Sequence, residues 1–523
     1  MPTPFYVTTT IPYVNGRPHL GHALELVQAD VLARHRRQGG DPVRFLSGTD
    51  DNSLKNVLAA QAEGLPTQQL VDRNAAAFES LRKPLAACFD DFIRTSRDSR
   101  HRPGVERLWR ACAAAGDLYR RHYQGLYCVG CERFFTEAEL DAGRCPEHGT
   151  RPEPVAEQNW FFRLSRYQDQ LYHLVQSGRL RIEPAVRRNE VLGFIAAGLE
   201  DFSVSRSQER ARGWGIPVPG DPDQVIYVWW DALGNYVTAL DYANRGADYR
   251  RWWADGSRRV HLLGKGVLRF HAVYWPAMLL SAGEPLPTDI LVHDYLTVDG
   301  KKISKSAGTA VDPVDLVDRF GTDPVRWWLL CEVPRVSEAD FTVERLIART
   351  NRDLADDLGN LVNRVVSMVH RYRAGRPPDP APGAAAADAE RLTTACQLVP
   401  DRVAAALDAF DFRTATAAVW TVVAEANRYV DQVRPWQLAR AEGDARADGD
   451  ARAGDDPARS TGDRQASAQL DAALDVLLRS CQTLAEQLQP FLPGTAARIA
   501  AQCTPSAGRL PSPRPLFPKV PGW

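Results

Sequence analysis

The sequence predicts an α/β fold: a parallel sheet interrupted by a cysteine-containing insertion and followed by a long helical region. The first observation is a β-branched and aromatic strand at residues 5–10, which leads through a turn rich in Pro, Asn and Gly into an amphipathic helix that starts near Pro18. The second is the helical periodicity that follows residue 313 almost to the end of the chain. The third is a series of short apolar segments that predict further strands, at residues 43–46, 226–233, 260–263 and 290–293.

Composition and charge narrow the class of protein. The 523 residues are 44% hydrophobic and 25% charged, which allows several domains with ordinary globular cores. No apolar run approaches the ~20 residues that a membrane span requires, and the N-terminus lacks the pattern of a secretory signal. We therefore expect a cytoplasmic protein without a membrane partner. Because the formal net charge is -1, contacts with nucleic acid would need local basic patches.

The turn after the first strand ends in His19-Leu20-Gly21-His22, at the start of the first helix. A strand, turn and helix in this order place backbone N–H groups and the positive end of the helix dipole at the carboxyl edge of a parallel sheet, where phosphates bind. Two imidazoles there could donate hydrogen bonds to a phosphate as its charge builds, and Gly21 would let a nucleotide approach the backbone. Alone, the tetrapeptide is equally compatible with histidines that cap a helix or lie at the surface.

Two further segments could bind charged groups of a substrate. Residues 301–306, Lys-Lys-Ile-Ser-Lys-Ser, could clamp a polyphosphate through the ammonium groups of Lys302 and Lys305 and hydroxyls such as that of Ser304. The alternative is a solvated basic turn. Asp50 follows the second strand, where its carboxylate could face the ligand crevice and hold a substrate ammonium group, or could cap a helix.

Cysteine spacing predicts a metal site in the insertion. Cys128 and Cys131 form a C-x2-C pair, and Cys145 with His148 forms a C-x2-H pair further along the chain. Three sulfurs and one imidazole nitrogen at these spacings are typical of a closed, structural zinc site, with one Zn2+ per chain. The alternative is cysteine–cysteine pairing, which a cytoplasmic setting disfavours.

The combination of His-Leu-Gly-His near the start and Lys-Ile-Ser-Lys-Ser far downstream resembles the two signatures of class I aminoacyl-tRNA synthetases. Longer segments narrow the resemblance to the methionyl-tRNA synthetase family over nearly the full chain. These segments are residues 11–16, the cysteine pair followed by Glu132-Arg133-Phe134, residues 227–229 with 231–233, Phe270-His271 with residues 275–278, and residues 426–429 with Pro435-Trp436.

The resemblance implies an enzyme that ligates L-methionine to tRNA(Met) through a methionyl-adenylate, using ATP with Mg2+. It implies a Rossmann-like catalytic domain followed by an α-helical anticodon-binding domain. By motif, His19 and His22 would stabilise the α-phosphate, and Lys302 and Lys305 would stabilise the departing pyrophosphate. The full ATP-binding set by motif is His19, Gly21, His22, Lys302, Ser304 and Lys305.

The resemblance also implies residues for the other two substrates. Aromatic side chains clustered at sheet ends could line a substrate pocket, but from the residues alone they are more often part of an ordinary core. By motif, the methionine site would comprise Ile11, Tyr13, Asp50, Trp229, Ala232, Tyr236, Val267, Phe270 and His271. The anticodon would be read by Asn360, Arg364 and Trp436.

The predicted boundaries follow these motifs. No domain appended to the helices is expected, and the protein is therefore predicted to be a monomer. The boundaries are 1–118 and 220–300 for the two halves of the catalytic domain, 119–219 for the zinc-binding insertion, 301–347 for the Lys-Ile-Ser-Lys-Ser loop and a stem-contact region, 348–510 for the helical domain with a disordered insertion at about 442–467, and 511–523 for a tail.

The sequence departs from the family pattern at several places. Asp-Asn-Ser at residues 51–53 replaces Glu-His-Gly, and Gly266 stands where the family has an aspartate; residues 294–295 and Thr309 also differ. Two alternatives therefore stay open: a paralogue with altered amino-acid specificity or inhibitor resistance, and a non-catalytic tRNA-binding regulator. Retention of both histidines and both lysines favours the enzyme, because a binding module has no need to stabilise pyrophosphate.

Overall fold

The computed structural model describes residues 3–128, 133–147, 149–303, 310–380, 388–442 and 457–521, and within them all side chains except those of residues 123, 133, 134, 302 and 457–463. The chain forms two compact units. The first comprises residues 1–296 and 302–313, and the second comprises residues 297–301 and 314–523.

The first unit is organised around a six-stranded parallel sheet, which confirms the predicted α/β class. Its spatial order is β3-β2-β1-β5-β6-β4, so the chain moves outward in opposite directions from the junction of β1 and β5. In an open parallel sheet, such a reversal opens a crevice at the carboxyl ends of the strands, where ligands bind. The strands are β1 Phe5–Thr8, β2 Val43–Thr49, β3 Asp91–Arg94, β4 Arg181–Glu183, β5 Arg258–Gly264 and β6 Asp289–His293.

Helices connect these strands, as parallel pairing requires. The apolar stripe of the first helix is buried at Leu20, Leu24, Val27 and Val31, which fixes its packing face. The α-helices of this unit are Leu20–Gln38 (α1), Leu54–Ala62, Thr67–Ser80, His101–Ala114, Gln168–Gln176, Ala185–Ala196, Val228–Thr238 (α2), Ala247–Tyr249 and Trp275–Ala282, and π-helical segments cover Arg250–Ala254 and Phe270–Tyr274.

The region predicted as the insertion contains two antiparallel sheets. One joins four strands in the order Arg133–Phe135, Leu118–Cys128, Glu153–Phe162 and Phe202–Ser203. The other joins three strands in the order Pro217–Val218, Asp221–Ile226 and Ser205–Ser207.

Two predicted elements of the first unit were wrong. The apolar run at residues 226–233 is not a strand of the parallel sheet, because from Val228 onward it is helix α2. A short apolar run fits a buried helix as well as a buried strand, and here Asp231 and Asn235 continue the buried pattern on the helix. The sequence pattern also favours a single helix over residues 68–89, but that helix ends at Ser80, because the Pro84 ring would clash with the helical carbonyl four residues before it.

The second unit is helical, as predicted. The disordered insertion expected at about 442–467 was too long, because helix has resumed at Pro457; residues 443–456 lie outside the described part of the chain. Its helices are Pro313–Phe320, Thr322–Cys331, Val343–Arg349, the π-helical Thr350–Gly359, Asn360–Arg373 (α3), Glu390–Asp408, Phe412–Val433 (α4), residues 435–442, Pro457–Leu488 and Pro493–Cys503.

Three short strands, Leu296–Val298, Lys301–Lys302 and Ala339–Asp340, form a small sheet of their own. Among all the helices described here, none combines the length and the apolar character that crossing a bilayer would require.

Candidate active site

A cleft of about 660 Å³ opens in the first unit where β1, β5 and β6 end. It contains the beginning of α1 and the beginning of α2, so residues far apart in sequence meet there. All nine residues predicted for methionine, and three of the six predicted for ATP, lie in its wall. They are Ile11, Tyr13, His19, Gly21, His22, Asp50, Trp229, Ala232, Tyr236, Val267, Phe270 and His271.

The two histidines at the start of α1 hold each other in place. His19 is the N-cap, and its Nδ1 accepts a hydrogen bond from the Gly21 N–H at 3.1 Å. The His22 Nδ1 accepts the His19 N–H at 3.0 Å, and the two rings lie 3.8 Å apart. Since a backbone N–H can only donate, each Nδ1 is an acceptor, and the ring proton of each neutral imidazole is on Nε2. A Cβ at Gly21 would lie 3.0 Å from His19 Cε1, so glycine permits this close arrangement.

One part of the cleft is an aromatic pocket. Trp229 and Phe270 stack with their rings 3.8 Å apart, and Tyr13 meets Trp229 edge-on at 6.0 Å. Phe270 begins a π-helical segment, a rare conformation that recurs at functional sites. These rings provide an apolar and polarisable surface that suits an uncharged side chain.

A buried hydroxyl–imidazole pair lies beside these rings. His271 Nδ1 is 2.9 Å from the Val267 carbonyl, which can only accept, so Nδ1 has the proton. His271 Nε2 is therefore an acceptor, and the Tyr236 hydroxyl donates to it at 2.7 Å. Burial lowers the pKa of His271 to about 4 and raises the pKa of Tyr236 above its usual range. Both groups are neutral at physiological pH.

Asp50 lies beside this pocket. The three residues after it, which depart from the family pattern, form hydrogen bonds within this chain. Asp50 is buried, and its Oδ1 accepts the Asn52 N–H at 3.1 Å. Asp51 accepts hydrogen bonds from Thr49 and Ser96, and burial raises its pKa. Asn52 donates to Asp231 on α2 at 3.0 Å, and Ser53 caps the helix that follows. The departures at residues 51–53 thus have structural partners in this chain.

Several charged or polar residues of the cleft are not among the site residues predicted from sequence. Lys265 lies just after β5, and His293, Asp294 and Tyr295 lie at and just after the end of β6; Glu25 is on α1. The ends of both strands were visible in the apolar pattern, but the pattern does not say that β5 and β6 are neighbours. Their pairing brings Gly264 opposite His293 and so joins the two ends.

The other predicted ATP-binding groups lie outside the described part of the chain. This is so for the side chain of Lys302 and for the whole of Ser304 and Lys305. Ile303, between them, is described and lies in the wall of the same cleft.

Two of the four predicted metal ligands are described. Cys128 and Cys145 are buried, and both pack in one cluster with Phe135. Cys131 and His148 lie outside the described residues, and within the described ones no group of three or more His, Cys, Asp or Glu could hold a metal ion. Two buried thiols close together fit one half of a tetrahedral zinc site, since thiolate is the preferred zinc ligand.

The predicted anticodon residues lie in the second unit. Asn360 is exposed at the start of α3, and Arg364 follows one turn later on the same face. Arg364 approaches Asp431 of α4 at 3.4 Å. α4 ends at Val433, and the next residue, Arg434, has a positive φ of 48° that turns the chain into the short helix on which the half-buried Trp436 lies. The Arg364–Asp431 contact therefore links α3 to α4, and α4 leads directly into the short helix that contains Trp436.

Comparison with known proteins agrees with this geometry. The family described as "tRNA synthetases class I (M)" matches residues 5–151 and 139–366. The methionine–tRNA ligase of Brucella suis biovar 1 (strain 1330) is 38% identical over 98% of both chains, and that of Mycobacterium bovis is 44% identical over 84% of both.

A crystal structure of Mycobacterium tuberculosis methionyl-tRNA synthetase bound by methionyl-adenylate superposes with a TM-score of 0.88. It is 38% identical and covers 98% of this chain and 100% of that one. The apo form of the same enzyme superposes with a TM-score of 0.83 at 36% identity, covering 100% and 99%. The chain therefore belongs to the methionyl-tRNA synthetase family of class I aminoacyl-tRNA synthetases.

Proposed function

We infer that the protein activates L-methionine with ATP and transfers it to tRNA(Met). One observation supports this most strongly: all nine residues expected for methionine and the His19–His22 motif line a single cleft, at the switch point of a parallel sheet. Family membership gives the same activity independently, since the similar proteins are methionine–tRNA ligases.

The first step is an in-line substitution at the α-phosphate. A carboxylate oxygen of methionine attacks the α-phosphorus of ATP, and the bond to the bridging oxygen of pyrophosphate breaks. Negative charge builds on the phosphate oxygens, so fixed donors lower the barrier. His19 and His22 would supply their Nε2–H groups, while Lys302, Lys305 and the Mg2+ that accompanies ATP would stabilise the pyrophosphate. In the second step, a ribose hydroxyl of the tRNA terminal adenosine attacks the adenylate carbonyl, and AMP leaves.

The pocket chemistry accounts for methionine as the amino acid. The buried Asp50 carboxylate would accept the substrate ammonium group. Trp229 and Phe270 would contact the thioether, and a neutral Tyr236–His271 pair would exclude a charged side chain, which it cannot compensate. Apolar contacts alone separate side chains by only ~1–3 kcal/mol per methylene, so the fixed hydroxyl–imidazole pair is needed for finer selection.

The test is ATP–pyrophosphate exchange assayed over all twenty amino acids with purified protein. Exchange that depends on methionine and is at least ~100-fold weaker with other amino acids is expected, which corresponds to about 2.7 kcal/mol. Exchange with another amino acid would instead identify a paralogue of altered specificity. No exchange with any of them, together with tight tRNA binding, would favour the regulatory alternative.

We propose that Asn360, Arg364 and Trp436 recognise the anticodon. Replacing Trp436 with Ala should remove base stacking worth ~1–3 kcal/mol, so charging of tRNA should fall by about one to two orders of magnitude. Methionine-dependent exchange needs no tRNA and should stay nearly constant. A parallel fall in both assays would show that Trp436 is needed for folding instead.

We also propose one structural zinc ion held by Cys128, Cys131, Cys145 and His148. Elemental analysis of protein purified without added metal should find about one zinc per chain. Cys145→Ala should lose it and make the insertion more sensitive to proteolysis, whereas Cys112→Ala, which removes a buried thiol in the main core, should keep it. A folded, zinc-free wild type would refute the site.

A further inference from the structure

Part of the cleft wall is assigned neither to methionine nor to the α-phosphate. The proposed function puts methionine in the aromatic pocket and the phosphate at the His19–His22 pair. One unassigned part lies at the ends of β5 and β6, where Leu296 and Ile303 are apolar and Lys265, Asp294 and Tyr295 are polar. ATP joins the phosphate to a sugar and a base, and this part of the wall offers both polar and apolar groups for them.

Tyr295 occupies the place where a side chain at position 266 would project. A Cβ added at Gly266 would lie 2.3 Å from the Tyr295 Oη, a distance that real Cβ atoms do not show. The φ of Gly266 is not positive, so glycine is not required there by its own backbone. A larger residue at position 266 would instead force the phenol, the far end of the Tyr295 side chain, to move. Gly266, just after β5, has no side chain, and the hydroxyl of Tyr295, just after β6, lies in the space that a side chain there would occupy.

Charged neighbours hold Tyr295 in this place. Lys265 Nζ lies 4.6 Å from the centre of the Tyr295 ring and 3.9 Å from the Asp294 carboxylate. Arg187 contacts the same carboxylate. Asp294 is thus buried between two cations, and Lys265 is drawn across the face of the ring. This arrangement fixes the ring. The Asp294 carboxylate is engaged with protein cations, whereas the Tyr295 phenol is a neutral polar group in this part of the wall.

We propose that Tyr295 recognises the ribose of the nucleotide. Its Oη, which lies in the space beside Gly266, would form a hydrogen bond with a ribose hydroxyl. A phenol can donate to and accept from a sugar hydroxyl, and polar groups at strand ends beside the switch point are where nucleotide ribose is bound. Lys265 and Asp294 act as positioning residues for the ring. The inference rests on the proposed function and adds to it the group that selects the sugar.

The test is Tyr295→Phe, which removes one oxygen, measured by methionine-dependent exchange with ATP, 2′-deoxy-ATP and 3′-deoxy-ATP. Wild type should lose affinity for one of the deoxynucleotides, whereas Tyr295→Phe should have a KM for ATP raised about 3- to 10-fold and should no longer distinguish ATP from that deoxynucleotide. The KM for methionine should change little. Tyr172→Phe, the same substitution outside the cleft, should resemble wild type.

A second variant tests the contact with Gly266. Gly266→Ala should raise the KM for ATP in wild type, because the new methyl group displaces the hydroxyl, and should have a smaller effect in the Tyr295→Phe background, where that oxygen is gone. Equal effects in both backgrounds, equal losses of Tyr295→Phe with all three nucleotides, or an unchanged KM for ATP would each overturn the inference and leave the proposed function intact. A wild type without methionine-dependent exchange would instead overturn the proposed function, and this inference with it.

Discussion

The two ends of the cleft are built from opposite kinds of groups. At the end proposed for methionine, Tyr236 and His271 are buried, neutral and hydrogen-bonded to each other, beside stacked aromatic rings. At the end proposed for the nucleoside, Lys265 and Asp294 are ionic partners, and His293 contacts Glu25 at 3.1 Å. The first end can select an uncharged side chain because it cannot compensate a charge. The second end can bind and orient a polar, charged ligand through its ionic groups.

This difference predicts how ligand binding at each end responds to a single substitution. A neutral buried pair is costly to leave half-satisfied, so a single deleted oxygen should change binding sharply. The ionic cluster gives Asp294 two cationic partners, Arg187 and Lys265, so the loss of one partner leaves the other in place. Single changes there should have smaller effects that depend on pH or on the nucleotide used.

The largest effect is expected between the two ends, at the phosphate. His22→Ala removes an Nε2–H donor, and loss of one such preorganised donor typically costs ~10²–10³ in rate, so methionine-dependent exchange should fall by about that factor. His22 also accepts the His19 N–H, so some stability should be lost with it. His35→Ala, in the last turn of the same helix, is the matched control and should leave exchange near wild type. Equal losses in both variants would assign His22 to helix stability alone.

A smaller effect is expected at the methionine end. Tyr236→Phe leaves His271 Nε2 buried without its donor, a cost of ~1–3 kcal/mol, so the KM for methionine should rise about 10-fold or more while the KM for ATP changes little. Tyr6→Phe is the matched control, because the Tyr6 hydroxyl bonds to the Tyr236 carbonyl at 2.8 Å but lies outside the cleft. That variant should lower the melting temperature and spare both KM values. If the two variants had the same kinetics, the hydroxyl of Tyr236 would not contribute to the pocket.

The two ends also differ in how far the sequence predicted them. Signature motifs predicted nine residues for the methionine end, and all nine line the cleft, although the run containing Trp229 was assigned to a strand and is a helix. At the nucleoside end, Tyr295 and Asp294 belong to no motif that survives in this chain. Their importance depends on the strand order and on the close approach of Tyr295 to Gly266, and both are properties of the folded chain. Local patterns give strand ends; only the sheet order says which ends meet.

The predicted site residues that lie outside the described part of the chain show a second limit of the same kind. Lys305 was predicted from the Lys-Ile-Ser-Lys-Ser motif and His148 from the spacing of cysteines and histidine, and such local patterns specify which residues could converge without giving their contacts. Cys128 and Cys145, in contrast, are held by a small buried cluster with Phe135 and Leu140. Where side chains can be buried, the pattern in the sequence already implies the packing.

The smallest effect is expected at His293, and it should depend on pH. Burial acts to lower the pKa of His293, but its hydrogen bond to the Glu25 carboxylate and the nearby Asp294 outweigh burial, so the pKa is raised above its usual value. A raised pKa means that the folded state binds the proton more tightly than the unfolded state. The resulting stability is fully present below pH ~6.5, the ordinary histidine value, and is lost as pH rises through the higher pKa of the folded protein.

The measurement is the free energy of unfolding of wild type and His293→Gln between pH 6 and pH 9. The variant should be less stable by about 1–3 kcal/mol at pH 6, the range for a hydrogen bond to a charged group, and the gap should narrow toward pH 9. His173→Gln removes an exposed imidazole from the helix Gln168–Gln176 and controls for the substitution itself. A gap that stayed constant with pH would mean that His293 contributes packing and a neutral hydrogen bond, and that the nucleoside end lacks the charge pair that distinguishes it from the methionine end.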